Sequence, residues 1–188
     1  MKIVSWLSVT LLIAPVAAGA PVSYIVDPNH TYPSFEADHL GGLSTWRGKI
    51  NETSGKIVLD RDAGTGIVDV TMKMTSIDFG LDDLNEHAKS PDIFDATKFP
   101  IASYKGSFAN FKGKAPTEVN GNLTLRGVTR PVTLKINSVL CKPVRAVEVC
   151  GADASATINR VDFGVDFGVQ MGFKPEVVLR IQVEAKRS

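Results

Sequence analysis

Most of the chain alternates between apolar and polar residues with a period of two. In the clearest run, Val68, Val70 and Met72 share one face, and Asp69 and Thr71 take the other. Similar alternation recurs in residues 24–26, 35–39, 46–50, 57–59, 102–108, 119–125, 132–136, 152–158 and 177–183. This period is typical of strands with one buried face. The pattern predicts an all-β fold of antiparallel strands, and a barrel of about eight strands is preferred over a sandwich because closure removes exposed edges.

One stretch, from Phe79 to Tyr104, leaves this alternation and has the character of a helical insertion rich in aromatic residues. Asp82 and Asp83 in the first turn and Lys89 in the last turn follow the charge order that a helix dipole favours. Ser90 and the proline after it are typical of an N-cap and first helical position, and they predict one further short turn. A lone helical insertion between strands is expected to cover the mouth of the barrel, where function is expected to lie.

The faces predicted to point inward contain many small residues. They are Ala37, Gly48, Ala102, Gly106, Gly121, Ala152, Ala154 and Ala156. A barrel of about eight strands can be packed solid by large side chains, or can hold a ligand when the side chains are small. The pattern therefore favours a hollow interior. The alternative is that glycine and alanine only relieve crowding at bends or face a large residue across the core.

Length and charge narrow the classes of partner. The 188 residues suit one domain with a real core. A net charge of +1 without basic runs interleaved with aromatics predicts no nucleic-acid partner. The chain has no polybasic patch for a membrane surface. Beyond the N-terminus, no apolar run approaches the roughly 20 residues of a membrane span, so stable membrane insertion is not expected.

Residues 1–20 have the form of a secretory signal peptide, and residues 21–188 would then form one barrel domain. Lys2 precedes an apolar run from Ile3 to Val16, and small residues follow. Cleavage after Ala18 and cleavage after Ala20 both remain open.

The two cysteines, Cys141 and Cys150, flank a segment that resembles a strand end, a loop and a strand start. In an exported chain this spacing favours a disulfide, and two buried thiols are the alternative.

Four segments are similar to motifs of one known family. They read DPNHTYPSFEADHL, HAKSPDIFDATKFPIASYKGSF, NGNLTLRGVTRPVTL and ATINRVDFGVDFG. Together, and in this order over essentially the whole mature chain, they resemble the YceI-like family. The resemblance implies a lipocalin-like antiparallel barrel in the bacterial periplasm that holds a long isoprenoid or similar amphiphilic lipid in an elongated pocket. It implies lipid binding without catalysis or cofactor, and it leaves monomer and homodimer both open.

The motifs carry over to individual residues. Asp27, Pro28 and His30 match the DP-x-H of the family, and Phe35 and His39 match its inward F-x-x-x-H.

The family motif R-D-x-H-L-[RK]-S is matched only in part, because residues 85–90 read NEHAKS and lack the basic residue before the acidic one. If that residue holds a headgroup in the family, this chain is expected to prefer another headgroup or to hold it elsewhere. Asn159 and Arg160 match the I-N-R motif of the family, and we interpret them as structural support near the mouth.

Other chemistry has weaker support in the sequence. The separations of His30, His39 and His87 match no short metal-ligand motif, so no metal is predicted. His39 is interpreted as a hydrogen-bonded residue of the interior and His87 as a polar contact at the mouth. The triplet Asp-Phe-Gly occurs three times without the other parts of a kinase, and each copy is predicted to end or bend a strand.

Alternation and motif position together give the candidate ligand-binding residues. These are Phe35, His39, Trp46, Met72, Phe79, Leu84, His87, Phe94, Phe99, Tyr104, Phe108, Ala154, Phe163 and Phe167. The favoured function is a lipid carrier. The alternatives are an enzyme or redox partner that alters or presents a quinone-like lipid, and a stress or structural protein without a ligand.

Overall fold

A computed structural model describes residues 19–188. Residues 1–18, with most of the predicted signal peptide, lie outside the described residues, so the leader and its cleavage stay predictions. The strands are β1 (Val22–Val26), β2 (Ser34–His39), β3 (Ser44–Ile50), β4 (Thr53–Asp60), β5 (Thr65–Lys73), β6 (Ile77–Asp78), β7 (Ile101–Ala109), β8 (Glu118–Leu125), β9 (Val128–Val144), β10 (Val147–Asn159) and β11 (Glu176–Arg187). The helix α1 spans Asp82–Lys89, and short 3-10 helices span Met74–Ser76, Arg160–Phe163 and Val169–Met171.

Eight of these strands close into an antiparallel barrel, as predicted. Hydrogen bonding runs in the order β1, β4, β5, β7, β8, β9, β10 and β11, and β11 pairs back with β1. The long strand β11 serves two neighbours: Ala185 to Arg187 pair with β1, whereas Val177 to Arg180 pair with β2. The strands β2, β3 and β6 therefore branch from the barrel at one end, next to α1.

The helical insertion has the bounds that its charges predicted. Asp82 and Asp83 lie in the first turn of α1, and Lys89 lies in the last. Ser90 ends the helix, and its Oγ accepts a hydrogen bond from the backbone N–H of Asp92 (3.3 Å), which begins the predicted short turn.

The turn between β8 and β9 is a tight hairpin turn. Arg126 and Gly127 alone form it, and both have positive φ angles (51° and 74°), as a two-residue hairpin turn requires. Pro131 is already in β9, where it pairs with Asn122 of β8. Proline is tolerated there because β9 gains its second neighbour, β10, only from Lys135 onward.

The three Asp-Phe-Gly triplets all lie where the chain turns. Their glycines, Gly80, Gly164 and Gly168, have φ angles of 78°, 74° and 80°. Glycine adopts this left-handed conformation without steric cost, which explains the residue choice. The first triplet ends the strand β6, as predicted. The other two lie in turns between β10 and β11 and neither end nor bend a strand, so for them the prediction was wrong.

An apolar cavity inside the barrel

The interior of the barrel contains a cavity of about 600 Å³, and all eight barrel strands and α1 contribute to its wall. Its lining consists almost entirely of aliphatic and aromatic side chains. The cavity wall includes these candidate residues from the sequence: Phe35, Trp46, Met72, Phe79, Leu84, His87, Phe94, Tyr104, Phe108, Ala154 and Phe167.

The exposure of inward-facing side chains shows that the barrel is hollow. Val68, Ile136, Leu179 and Ile181 point into the cavity, yet they are only partly buried. Most of the fully buried apolar residues fall into three separate clusters around the cavity instead of one continuous core. A close-packed interior would bury such residues completely and join the clusters.

The mouth of the cavity lies between two loops. Among the described lining residues, only Leu40 and Met171 are exposed, with 47% and 58% of their surface accessible. Leu40 lies in the β2–β3 turn and Met171 in the mouth loop, our name for residues 164–175. The backbone N–H of Lys174 donates to Asp38 Oδ2 (3.0 Å), so the two loops are neighbours. A ligand would enter between them.

Aromatic rings in the cavity wall contact one another in pairs. The His87 ring meets Phe167 edge-on at 4.8 Å between centroids, and Phe35 meets Phe79 edge-on at 5.4 Å. His87 therefore lines the cavity and contacts the mouth loop through Phe167.

Three candidate residues lie outside the cavity lining. His39, expected in the interior, stacks on Trp46 at 4.1 Å between ring centroids at the end of β2. Phe163 is the last residue of the 3-10 helix after β10, and it is buried in the core beside the cavity. Phe99 packs against Gly127. Alternation gives the face of a residue within a strand, but it does not extend to Phe99 and Phe163, which lie outside the strands, and it fails at His39, the last residue of β2.

The small inward residues divide into two groups. Ala37, Ala102, Ala152 and Ala154 line the cavity, whereas the glycines and Ala156 do not. The ring of Phe35 lies across Gly48, and the ring of Tyr104 lies across Gly121. Gly48 and Gly121 are thus covered by aromatic rings, and Gly106 is covered by Val119 and the backbone of β8. Within this set, the four cavity-lining alanines are the small residues that leave space for a ligand.

The end of the cavity away from α1, which we call the inner end, is strongly cross-linked. It contains the predicted disulfide, Cys141–Cys150, and both cysteines line the cavity. Arg61 Nη2 donates to Tyr24 Oη and to Glu148 Oε1, each at 2.8 Å, and Tyr24 Oη donates to Glu148 Oε2 (3.0 Å). The hydrogen bond from Arg61 holds the pKa of Glu148 below its usual value, and burial raises the pKa of Tyr24.

Potential metal ligands are few in the part of the chain that the structure describes. Cys141, Glu148 and Cys150 form the one cluster of three such residues, and both sulfurs belong to the disulfide. Disulfide sulfur is not the thiolate that binds metals. Each histidine has a different neighbour: His30 pairs with Asp27, His39 with Trp46 and His87 with Phe167. Within the described residues, the three histidines therefore form no common site.

Arg160 was missed as a cavity residue. Its sequence motif predicted structural support, and it does bond to the mouth loop, but its side chain also lines the cavity. Its position directly after the last residue of an alternating strand was the signal that could have indicated this.

A closed antiparallel barrel with an apolar interior and a helical cover at one end is a lipocalin-like binding fold. The chain belongs to the YceI-like family, whose domain model matches residues 24–185. Within the described residues, no helix is both long enough and apolar enough to cross a membrane.

Relatives agree with this assignment. A UPF0312 protein of Shewanella putrefaciens is 31% identical over 183 residues, which cover 94% of this chain and 93% of the relative. A UPF0312 protein of Shewanella oneidensis is 29% identical with the same coverage.

Solved structures share the fold. BcnA of Burkholderia cenocepacia has a TM-score of 0.67 at 21% identity, covering 85% of this chain and 98% of BcnA. A polyisoprenoid-binding domain from Saccharophagus degradans has a TM-score of 0.65 at 13% identity, covering 89% and 99% of the two chains. The YceI protein of Campylobacter jejuni has a TM-score of 0.66 at 23% identity, covering 78% and 87%.

Proposed function

We propose that this protein is a periplasmic carrier of a long-chain isoprenoid or a similar amphiphilic lipid, and that it performs no catalysis. The observation that carries the proposal is the cavity of about 600 Å³, with an apolar wall and a mouth at one end. The shared fold with a polyisoprenoid-binding domain supports the ligand class. The disulfide and the predicted leader support the periplasmic location.

Burial of the lipid tail supplies the driving force for binding. Each Å² of apolar surface removed from water contributes about 25 cal/mol, so even part of a long tail offsets the cost of association. Because tails of different length all bury apolar surface, tail length discriminates poorly between lipids. Polar side chains lie at the mouth, where Asp38, His87 and Arg160 contact the cavity. The tail would therefore occupy the inner part and the head would stay near the mouth.

Lipid uptake by a blocked variant tests this function. Ala154 is 8% exposed, lines the cavity, and lies on β10 between Ile136 and Ile181 of the neighbouring strands. In Ala154→Trp, the indole would fill space that the tail needs, and bound lipid is expected to fall to a small fraction of the wild-type amount. Native mass spectrometry followed by organic extraction measures the bound lipid.

A matched control places the same ring on the outside of the barrel. Thr157 is exposed on β10. Thr157→Trp should retain wild-type lipid uptake, whereas unchanged uptake in a folded Ala154→Trp variant would contradict the proposal. In the wild type, a chemically altered lipid would identify the enzyme or redox partner, and absence of any bound lipid would identify the structural protein.

A further inference from the structure

Arg160 is the one lysine or arginine whose side chain lines the cavity within residues 19–188. It follows β10 directly and begins the 3-10 helix Arg160–Phe163, which places it beneath the mouth loop. A cation in the wall of an apolar cavity needs a physical explanation, because burial of an uncompensated charge is costly.

Neutral oxygen atoms hold this guanidinium in place. Arg160 Nη1 donates to the carbonyl oxygens of Val165 (2.9 Å) and Phe167 (2.8 Å), and Nε donates to the carbonyl of Lys174 at 3.4 Å. These bonds fix its orientation but leave its charge without a counter-ion.

Two carboxylates attract the charge of Arg160, but each does so from farther away than the distance of a salt bridge. Asp38 and Asp166 favour its charged form, but neither forms a salt bridge with it within 4.0 Å. Asp38 Oδ2 instead accepts the backbone N–H groups of Gly41 (2.9 Å) and Lys174 (3.0 Å). Burial is the largest influence, and it lowers the pKa of Arg160 from its usual value. The charge is therefore partly desolvated and incompletely balanced.

One donor of the guanidinium is available to a ligand. Arg160 Nη2 makes no hydrogen bond to any described residue, and it is not among the buried nitrogen atoms that lack a partner. It is thus accessible, on a side chain that faces the cavity close to the mouth.

From this geometry we propose that Arg160 is the headgroup-recognition residue of the cavity, and that it selects lipids with an anionic oxygen head, a carboxylate or a phosphate monoester. This inference rests on the proposed lipid-binding function. An anionic head would supply the missing counter-ion and accept a charge-assisted hydrogen bond from Nη2. Hydrogen bonds to charged groups stabilise by about 1.5 to 3 kcal/mol, so an acid should bind about tenfold to hundredfold more tightly than the alcohol with the same tail.

The test compares lipids that differ only in their heads. Lipid-stripped wild-type protein is titrated with farnesol, farnesoic acid and farnesyl monophosphate, and dissociation constants are measured by calorimetry. The acid and the monophosphate are expected to bind at least about tenfold more tightly than the alcohol. Inorganic phosphate alone is expected to bind weakly. If free phosphate binds as tightly as the lipid phosphate, the site is for a free anion and the proposal is wrong.

Two variants separate recognition from support of the mouth loop. In Arg160→Met the ratio of the dissociation constants of the acid and the alcohol should fall to about one, whatever the change in farnesol binding itself, whereas Arg160→Lys should retain part of the preference for the acid. Arg126→Met is the matched control. Arg126 also donates to a carbonyl of the mouth loop, that of Gly164, but it does not line the cavity. This variant should keep the full preference for the acid.

The outcomes distinguish this inference from the function on which it rests. If the wild type binds all three lipids equally well, the role of Arg160 is wrong and the carrier function stands. Loss of binding to every lipid in Arg160→Met and Arg160→Lys would reduce Arg160 to structural support. If the wild type binds none of the lipids, the proposed function itself fails.

Discussion

The two ends of the cavity are held together by different kinds of bond. At the inner end, the Cys141–Cys150 disulfide and the hydrogen bonds among Tyr24, Arg61 and Glu148 join side chains from distant strands. At the mouth, the segments are joined mainly by side chains that donate to backbone carbonyls, as Arg160 does in the mouth loop.

This difference indicates that the inner end stabilises the barrel and that the mouth can open. The inner end has covalent and ionic cross-links, and Tyr24 there is only 1% exposed. The mouth has exposed apolar residues, Leu40 and Met171, and bonds that can break without separating barrel strands. The proposed carrier function would require such an arrangement, since a ligand must enter at one end without unfolding the other. Low local stability at a binding opening is a general property of proteins.

Removal of the disulfide should have the largest effect on stability. In the double variant Cys141→Ala/Cys150→Ala, the free energy of unfolding is expected to fall by about 2 to 3 kcal/mol, because the bridge closes a short loop in the unfolded chain. Urea denaturation measures this loss, and the wild type under reducing conditions provides the comparison. In this variant, amides at the inner end of the cavity should lose protection from hydrogen exchange and amides at the mouth should not. Equal loss at both ends would contradict the difference between the two ends.

Acid should produce the next-largest loss of stability, because it protonates the Asp27 carboxylate. Asp27 is 5% exposed, and its carboxylate bonds to Lys186 Nζ (2.7 Å) and to His30 Nδ1 (2.9 Å). Lys186 first, and then His30, lower its pKa from 3.8 to about 2. Because the pKa is lower in the folded state, the stabilisation is present above about pH 4 and is lost as the pH falls toward about 2.

The size of this acid effect is limited to about 2 kcal/mol, because Lys186 and His30 are more than half exposed to solvent. Urea midpoints recorded between about pH 6 and pH 2 measure it. Asp27→Asn should remove this part of the pH dependence. A variant that loses stability in acid as steeply as the wild type would show that Asp27 is not responsible.

Sequence patterns predicted the barrel from alternation, the bounds of α1 from the order of charges, and the disulfide from the cysteine spacing. Each of these features has a local signature in the sequence. Sequence patterns could not separate alanines that leave space from glycines that are covered by a ring. Ala154 leaves space in the cavity, whereas Gly121 is covered by the ring of Tyr104 from the neighbouring strand β7. Nor could they place Arg160 in the cavity wall, since that depends on how the mouth loop folds over it.

Substitution of Arg126 should give the smallest change in stability. The change is expected to be confined to the mouth. The Arg126 guanidinium donates to the carbonyls of Pro91 (2.7 Å) and Gly164, so it joins the turn after α1 to the mouth loop. Its Nε is buried without a partner. In Arg126→Met, the lost hydrogen bonds are partly offset by removal of this unsatisfied donor, and the free energy of unfolding should fall by about 1 kcal/mol or less.

Amide hydrogen exchange shows where the Arg126→Met effect occurs. The backbone N–H groups of Gly164 and Val165, which donate to Val161 and Arg160, should exchange faster in the variant. Amides beside Cys150 should be unchanged. Arg130→Met is the matched control, because among residues 19–188 the Arg130 guanidinium donates only to the carbonyl of the adjacent Thr129 (3.1 Å). If both variants accelerate the same amides, or if the inner end loosens as well, the mouth is not an independent unit and opening for a ligand would have to involve the whole barrel.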